Sequence, residues 1–456
     1  MNKRILLVFC FFIGVILAAA PVAMAKVTAE EAATLKTTLT PFGAERAGNE
    51  AGTIPAWDGG MTTPPAGYQG PGSRYVDPYE GDKILFSINA GNMDQYADQL
   101  NAGLKALLKK YPDTFRIDVY PSHRPHAMPE YVYENTYKNA LQAELSEDEL
   151  NPKGAYGGIP FPIPKSGAEV HWNHTCRYQS QAKVYSYSAY LIQPDGQVVL
   201  SSGSRVNEQW PYYYKEGSAE TFKGDFWYFS SQYLLPARRK GELLLVRDPL
   251  NESQENRRAW QYLTGQRRVR MAPTVAHDTP NPAFSGTVAY DQSNIFNGSM
   301  EKYDWKLVGK KEMIIPYNTY RSMAKVAPTT KYKKGHISPE YLRFELHRVW
   351  VVEATVKPGA RQSYAKRVIQ YDEDSWAAIT QDVYDARGNL WRTDLLPSAH
   401  AYEIPGVQIF MNLHFDLPSG ISSVNYDYSD YDNMPIFDQR EDESYFLPDQ
   451  MRRMGQ

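Results

Sequence analysis

The chain has 456 residues, with 49 lysines and arginines against 52 aspartates and glutamates, a net charge of −3 and 42% hydrophobic residues. That slightly acidic balance excludes a general nucleic-acid binder, which carries a strongly basic face. Of the two cysteines only Cys176 lies outside the N-terminal leader, so core burial stabilises the mature fold without an internal disulfide.

Lys3 and Arg4, the apolar run 5–20, Pro21 and the Ala23-Met24-Ala25 site predict a Sec signal peptide over 1–25, cleaved after Ala25, and a periplasmic mature protein. An uncleaved anchor is the alternative, since 5–20 is nearly long enough to span a bilayer. Loss of Lys3 and Arg4 leaves the mature chain two units more negative. Its length suffices for two or three domains.

Residues 26–165 read as a helical and Pro/Gly-rich extension. Thr28 and Glu31 form a capping box for a helix over 28–39, stopped by Pro41. Residues 51–82 lack periodicity, yet Ile54, Trp57, Tyr68, Tyr75 and Tyr79 are too apolar for a solvated linker, so an ordered surface loop is expected. Asn92 is placed to cap an amphipathic helix ending at Tyr111, and a third helix is expected over 129–150. The prolines of 157–164 forbid helix.

Residues 166–417 turn to β patterning, with strands expected over 183–192, 197–202, 226–234, 242–247, 258–263, 266–271, 306–315, 342–356, 364–371, 376–384 and 390–394. Short turns between them predict an antiparallel meander, hence a sandwich or barrel. Residues 418–456 are acidic and tyrosine-rich and are expected to wrap the body as an extended tail.

The segment WQYLTGQRRVRMAP (260–273) with SGTVAYDQSNIFNGSMEKYDWKLVGKKEM (285–313) resembles the core of periplasmic lipoprotein carriers of the LolA/LolB type. Together with GAERAGNEAGTIPAWDGG (43–60), the stretches 92–124, 157–178, 347–367 and 371–392 resemble a long, little-characterised family of outer-membrane lipoprotein-sorting proteins. The resemblance spans nearly the whole mature chain. It implies an α+β fold, a curved antiparallel β half-barrel with helices covering its mouth, in a periplasmic protein encoded near RND-type exporters and outer-membrane β-proteins. It supplies no catalytic residues.

A strongly curved sheet leaves a concave face too wide for its own side chains to fill, which suits a hydrophobic ligand. Alternation over 226–234 puts Phe226 and Tyr228 on one face, and the run 348–354 is apolar on both faces. The candidate ligand-binding residues are Phe226, Tyr228, Trp260, Tyr262, Trp305 and Trp350, with Arg268 and Arg270 near a rim to hold a headgroup. Ordinary core packing, and pairing of these arginines with acids such as Asp304 or Glu312, are the competing explanations.

His171, His174 and Cys176, with His123 and His126, supply metal-ligand types, but no fourth ligand follows at a familiar spacing and HExxH is absent. In an extended segment His171 and His174 would face opposite sides, so structural hydrogen bonding is expected and no metal or cofactor is assigned. Nucleophile-elbow, phosphate-loop and dinucleotide motifs are absent. The expectation is a monomeric, non-catalytic periplasmic carrier of a hydrophobic or lipidic molecule, working beside an RND-type exporter and an outer-membrane protein. The alternative is a glycan-binding protein or glycosidase using Asp372, Glu373, Asp374, Asp382 or Asp385, whose pairing only three dimensions reveal.

Overall fold

The alternating runs from residue 182 onward pair as successive hairpins in the computed structural model, which describes residues 27–455 apart from 277 and 285. The leader expected over 1–25 lies outside the described residues. In chain order the principal strands are β1 (Ala182–Ile192), β2 (Val198–Gln209), β3 (Asp225–Leu235), β4 (Leu243–Pro249), β5 (Arg258–Leu263) and β6 (Arg268–Met271). The second half supplies β7 (Tyr303–Pro316), β8 (Phe344–Val356), β9 (Lys366–Asp372), β10 (Ala378–Tyr384), β11 (Leu390–Leu395), β12 (Asn412–Asp416) and β13 (Ser422–Asp427).

Each of these pairs antiparallel with its sheet neighbours, in the order β7-β8-β9-β10-β11-β12-β13-β1-β2-β3-β4-β5-β6. The two half-meanders join where β13, the last of these principal strands, pairs with β1, the first of them. The sheet does not close: β7 lies at one end, where the short strands Ile117–Val119 and Phe86–Ile88 also join β8, and β6 lies at the other. The fold is α+β, an open, curved antiparallel sheet with few helices.

Two of these principal strands escape the sequence pattern. Residues 412–416 and 422–427 are short and rich in Asn, Ser, Asp and Tyr, yet they occupy the middle of the sheet. The segment expected to wrap as a tail from Pro418 therefore enters the sheet first. Only afterwards does it wrap, ending in the helix α5 (Pro448–Met454), whose Met451 packs with Phe446 on Tyr228, Leu243, Leu245 and Tyr262.

Helices α1 (Ala29–Ala33), α2 (Ala102–Lys110), α3 (Glu130–Gln142) and α4 (Gly167–Thr175) precede β1. The predicted capping box of Thr28 and Glu31 is formed. The expected helix from Asn92 instead breaks into a 3-10 turn, Met93–Tyr96, and α2, because Asn101 caps Leu104 and the Asp382 carboxylate takes the N–H groups of Ala102 and Gly103 at 2.9 and 2.8 Å. Gly103 has no room for a side chain: a Cβ there would stand 1.9 Å from Thr393 Oγ1. Leu104, Leu107 and Leu108 then bury against Ile192, Leu395, Leu413 and Val424 on the outer face, each contributing about 1.5–3 kcal/mol.

Burial pushes the Asp382 carboxyl up to about 6, although the helix N–H groups pull it down. The unfolded value is about 3.9, so between about pH 4 and 6 the native protein holds a proton that the unfolded chain releases, and this group's contribution falls as pH rises. Asp382→Asn is expected to flatten that part of the stability profile in urea unfolding at stepped pH. An unaltered slope would show that Asp382 does not set it.

Candidate functional site

Since β6 and β7 are opposite edges of the sheet, the residues joining them, 272–302, cross its concave face. Among its described residues the crossing segment has four 3-10 turns, at Pro273–Ala276, Pro282–Phe284, Tyr290–Gln292 and Met300–Lys302, and one antiparallel bridge between Pro280 and Ala289. Beneath it lie three small spaces that share Glu208 and Asn294 in their walls. The first, about 80 Å³, is lined by His174, Arg177, Trp210, Phe226, Trp227 and Phe296 among others. A second, about 10 Å³, reaches Lys183 and Tyr426. A third, about 70 Å³, is walled by Tyr187, Phe229, Tyr233, Leu244, Val246 and Tyr290. Larger hollows of about 540 and 420 Å³ are open surface grooves, one beside Lys36, Tyr133 and Tyr137 and the other beside Asp148 and Asn251.

The crossing segment is pinned at a strained point. Asn294 and Ile295 have φ of 50° and 76°, a region that a β-branched residue adopts only when its surroundings impose it. The Ile295 carbonyl accepts from Arg367 Nη1 at 3.2 Å and from Gln381 Nε2 at 3.1 Å. Arg367, fully buried, also lies 3.7 Å from Asp291 and against the rings of Phe296, Tyr303 and Tyr364. Further along, Gln292 donates to Asp394, and Ser201 Oγ to the Ala283 carbonyl.

Helix α4 holds the other side. Ser166 caps it, and the segment expected to be extended is helical, so His171 and His174 share a face and both are buried. His174 Nδ1 accepts from the Ala378 N–H at 2.9 Å, which leaves Nε2–H to donate to the Asn294 carbonyl at 3.2 Å. Burial, with Arg177 nearby, holds His174 well below the usual histidine range, and burial takes His171 down to about 3. His171 stacks on Trp305 at 4.3 Å and pairs with the Tyr371 hydroxyl. Burial raises the Cys176 thiol far above its ordinary value, which keeps it protonated.

The eight aromatic and arginine candidates do not line one space. Phe226 borders the first chamber, where a bulge between Asp225 and Trp227 breaks the alternation and brings Trp227 there too. Trp305 lies beneath α4, 5.5 Å from Phe296. Trp350 stacks on Trp376 at 6.3 Å with Lys310 over its ring. Tyr228, Trp260 and Tyr262 face outward under the C-terminal residues, the Tyr262 hydroxyl bonding to the Gly455 carbonyl. Arg268 and Arg270 are exposed on the edge strand β6. Asp304 and Glu312, offered as their partners, lie on the other edge, β7.

Alternation in β3 and β4 could have found Trp227, Phe229, Tyr233, Leu244 and Val246. Arg177 has only a weak signal in the sequence, a single charge between residues 170 and 182.

The acids of the 372–374 turn are not presented to solvent. Asp374 is held by Arg124 at 2.9 and 2.6 Å, both groups buried, and the N-terminal segment closes over them through the Glu45 carbonyl. Asp372 accepts from Tyr317 and Ser375. His347, Asp372 and Asp374 bring three potential metal-ligand atoms within 4.8 Å of one another, but Arg124 occupies both oxygens of Asp374. Asp382 caps α2, and Asp385 binds the N–H groups of Arg387 and Asn389 within its own turn.

An α+β sheet whose own connecting segment encloses small chambers on its concave face is the class defined by this geometry. Residues 87–452 match the family described as Protein of unknown function (DUF1329), and the chain belongs to that family. It is 40% identical over 445 residues, 95% of both chains, to an uncharacterized protein of Pseudomonas aeruginosa. Among solved structures it is similar to a putative outer membrane lipoprotein-sorting protein domain from Vibrio parahaemolyticus, at 14% identity and TM-score 0.41 over 62% of this chain and 97% of that one. A DUF1329 family protein from Desulfovibrio piger gives 14% identity and TM-score 0.42 over 62% and 97%. A LolA superfamily protein from Nitrosomonas europaea gives 13% identity and TM-score 0.37 over 63% and 100%. No helix among the described residues is long and apolar enough to cross a membrane.

Proposed function

We propose that this protein is a periplasmic carrier, exported by a signal peptide cleaved after Ala25, that binds a hydrophobic or lipidic molecule between the concave face and the crossing segment. It acts as a monomer and without catalysis, and hands its cargo to an envelope partner, an RND-type exporter or an outer-membrane protein. The observation that carries this reading is the aromatic concave face, Trp227, Phe229, Tyr233, Leu244 and Val246, roofed by a segment with no long helix or strand of its own. Chambers of about 80 and 70 Å³ hold a headgroup or a few waters. Ligand sites generally measure about 300 Å³ or more, so loading requires the crossing segment to lift. Unidirectional transfer then needs a partner with higher affinity for the cargo.

The test is mass spectrometry of an organic extract from protein purified without detergent, followed by titration with a fluorescent fatty acid. A stoichiometric apolar molecule, or saturable uptake of the probe, is the expected result. An empty extract together with no uptake would refute the carrier. Glycan binding or hydrolysis has less support, because Asp372, Glu373, Asp374 and Asp382 are buried and engaged with protein partners.

A further inference from the structure

Arg177 follows α4 and is 6% exposed. Its Nη1 donates to the His174 carbonyl at 2.8 Å and its Nη2 to Gln179 Oε1 at 3.0 Å, both neutral acceptors. No carboxylate lies within ion-pairing distance of it among the described residues. A guanidinium this buried ordinarily has a carboxylate or phosphate partner, because taking it out of water unpaired is costly.

The acids bordering the chambers are already committed. Glu208 pairs with Lys183 at 3.2 Å, so two cations share one carboxylate. Asp248 receives two hydrogen bonds from Arg257, at 2.7 and 2.6 Å. Burial pushes Glu252 up to about 7, which removes much of its charge near neutral pH. With Glu208 and Asp248 each already facing another cation, Arg177 is left without a carboxylate of its own. Around it stand the rings of Trp210, Phe226, Trp227 and Phe296.

We infer that the chamber is a headgroup subsite for an organic oxyanion, a carboxylate or phosphate ester carried on an apolar body. Arg177 takes the anionic oxygens, the aromatic rings exclude water around them, and the apolar body runs beneath the crossing segment toward Phe229 and Tyr233. This rests on the carrier reading and narrows its cargo from any hydrophobic molecule to an anionic amphiphile. An arginine fork suits both head types, since each offers two oxygens in one plane.

The experiment compares three probes of equal chain length, a 16-carbon fatty acid, the corresponding alkyl phosphate and the corresponding alcohol, competing with a fluorescent ligand on the full-length mature protein. At least one anion is expected to bind about tenfold or more tightly than the alcohol, the size of one charge-assisted contact. Which anion is preferred separates a fatty-acid source from a phospholipid one. Arg177→Gln is expected to erase the preference while leaving alcohol affinity within about twofold, whereas Arg177→Lys retains part of it. Glu208→Gln is expected to tighten anion binding several-fold, because it removes the nearest opposing charge.

Equal affinity for anions and alcohol in the wild type overturns the inference and leaves the carrier standing. A preference that survives Arg177→Gln also overturns it. Failure of all three probes to bind, together with failure of the fluorescent ligand, refutes both. Near-UV circular dichroism shows whether Arg177→Gln is folded. Should it not be, the wild-type ratio and the Glu208→Gln shift still decide.

Discussion

Arg367→Met is expected to lower folding stability by about 3–5 kcal/mol and to free the crossing segment, because it removes a fully buried guanidinium from Asp291 and from the Ile295 carbonyl. Methionine fills a similar volume among Phe296, Tyr303 and Tyr364, so the loss is charge and hydrogen bonding more than packing. Ile295 would then lose one of the contacts that hold its left-handed backbone, and relaxation of that strain favours detachment. Urea unfolding gives the stability, and limited proteolysis within 272–302 reports the release. Combining the change with Asp291→Asn should restore part of the loss, since the carboxylate that faces Arg367 at 3.7 Å is then neutral as well. A loss below about 1 kcal/mol with unaltered proteolysis would mean that Arg367 does not hold the segment.

The second large effect is expected at Arg124. Burial raises the Asp374 carboxyl, but the charge and hydrogen bonds of Arg124 bring it below the usual aspartate range. A depressed folded value gives a stabilisation present above the unfolded value of about 3.9 and lost as pH falls through the folded one. Arg124→Met keeps the burial and removes the cation, so it should cost about 3–5 kcal/mol near neutral pH. In the variant Asp374 titrates above its unfolded value, and folding is then favoured by acid. The gap between wild type and variant should therefore narrow steadily as pH falls, first through the variant's raised value and then through the wild type's depressed one. Denaturant midpoints at stepped pH check this, and a constant gap would argue that Arg124 acts through packing alone.

How much of this was legible in the sequence varied with the element. The strands richest in apolar and aromatic residues, β1, β3, β4 and β5, lie where the pattern places them. Strands β12 and β13 were missed because central position, not hydrophobicity, makes them strands: their inward side chains include Asn412 and His414, satisfied by partners on the crossing segment and β11. The sequence of α4 reads as extended because the helix is buried nearly all round, and a helix without a polar face lacks the 3.6 period. Its misreading also separated two histidines that a helix brings together. The chamber was partly legible, as aromatic alternation in β3, but the bulge at Phe226 and the crossing of 272–302 from edge to edge depend on pairings that no local pattern encodes.

The seam between the first and last strands governs the order in which the chain can fold. Trp376 donates its indole N–H to Phe42, 334 positions earlier, and β1 waits for β13 across more than two hundred residues. Most of the contacts join residues distant in sequence, so loop closure must precede much of the favourable enthalpy, and slow acquisition of structure is the consequence. A chain synthesised from its N-terminus cannot seal the sheet or bury the Arg124 ion pair until nearly all of it has emerged. During that interval the apolar faces of both half-meanders stay open to other chains. A truncation just before Ser422 would thus remove more than a tail, because it takes away the stitch that makes one protein of two unfinished halves.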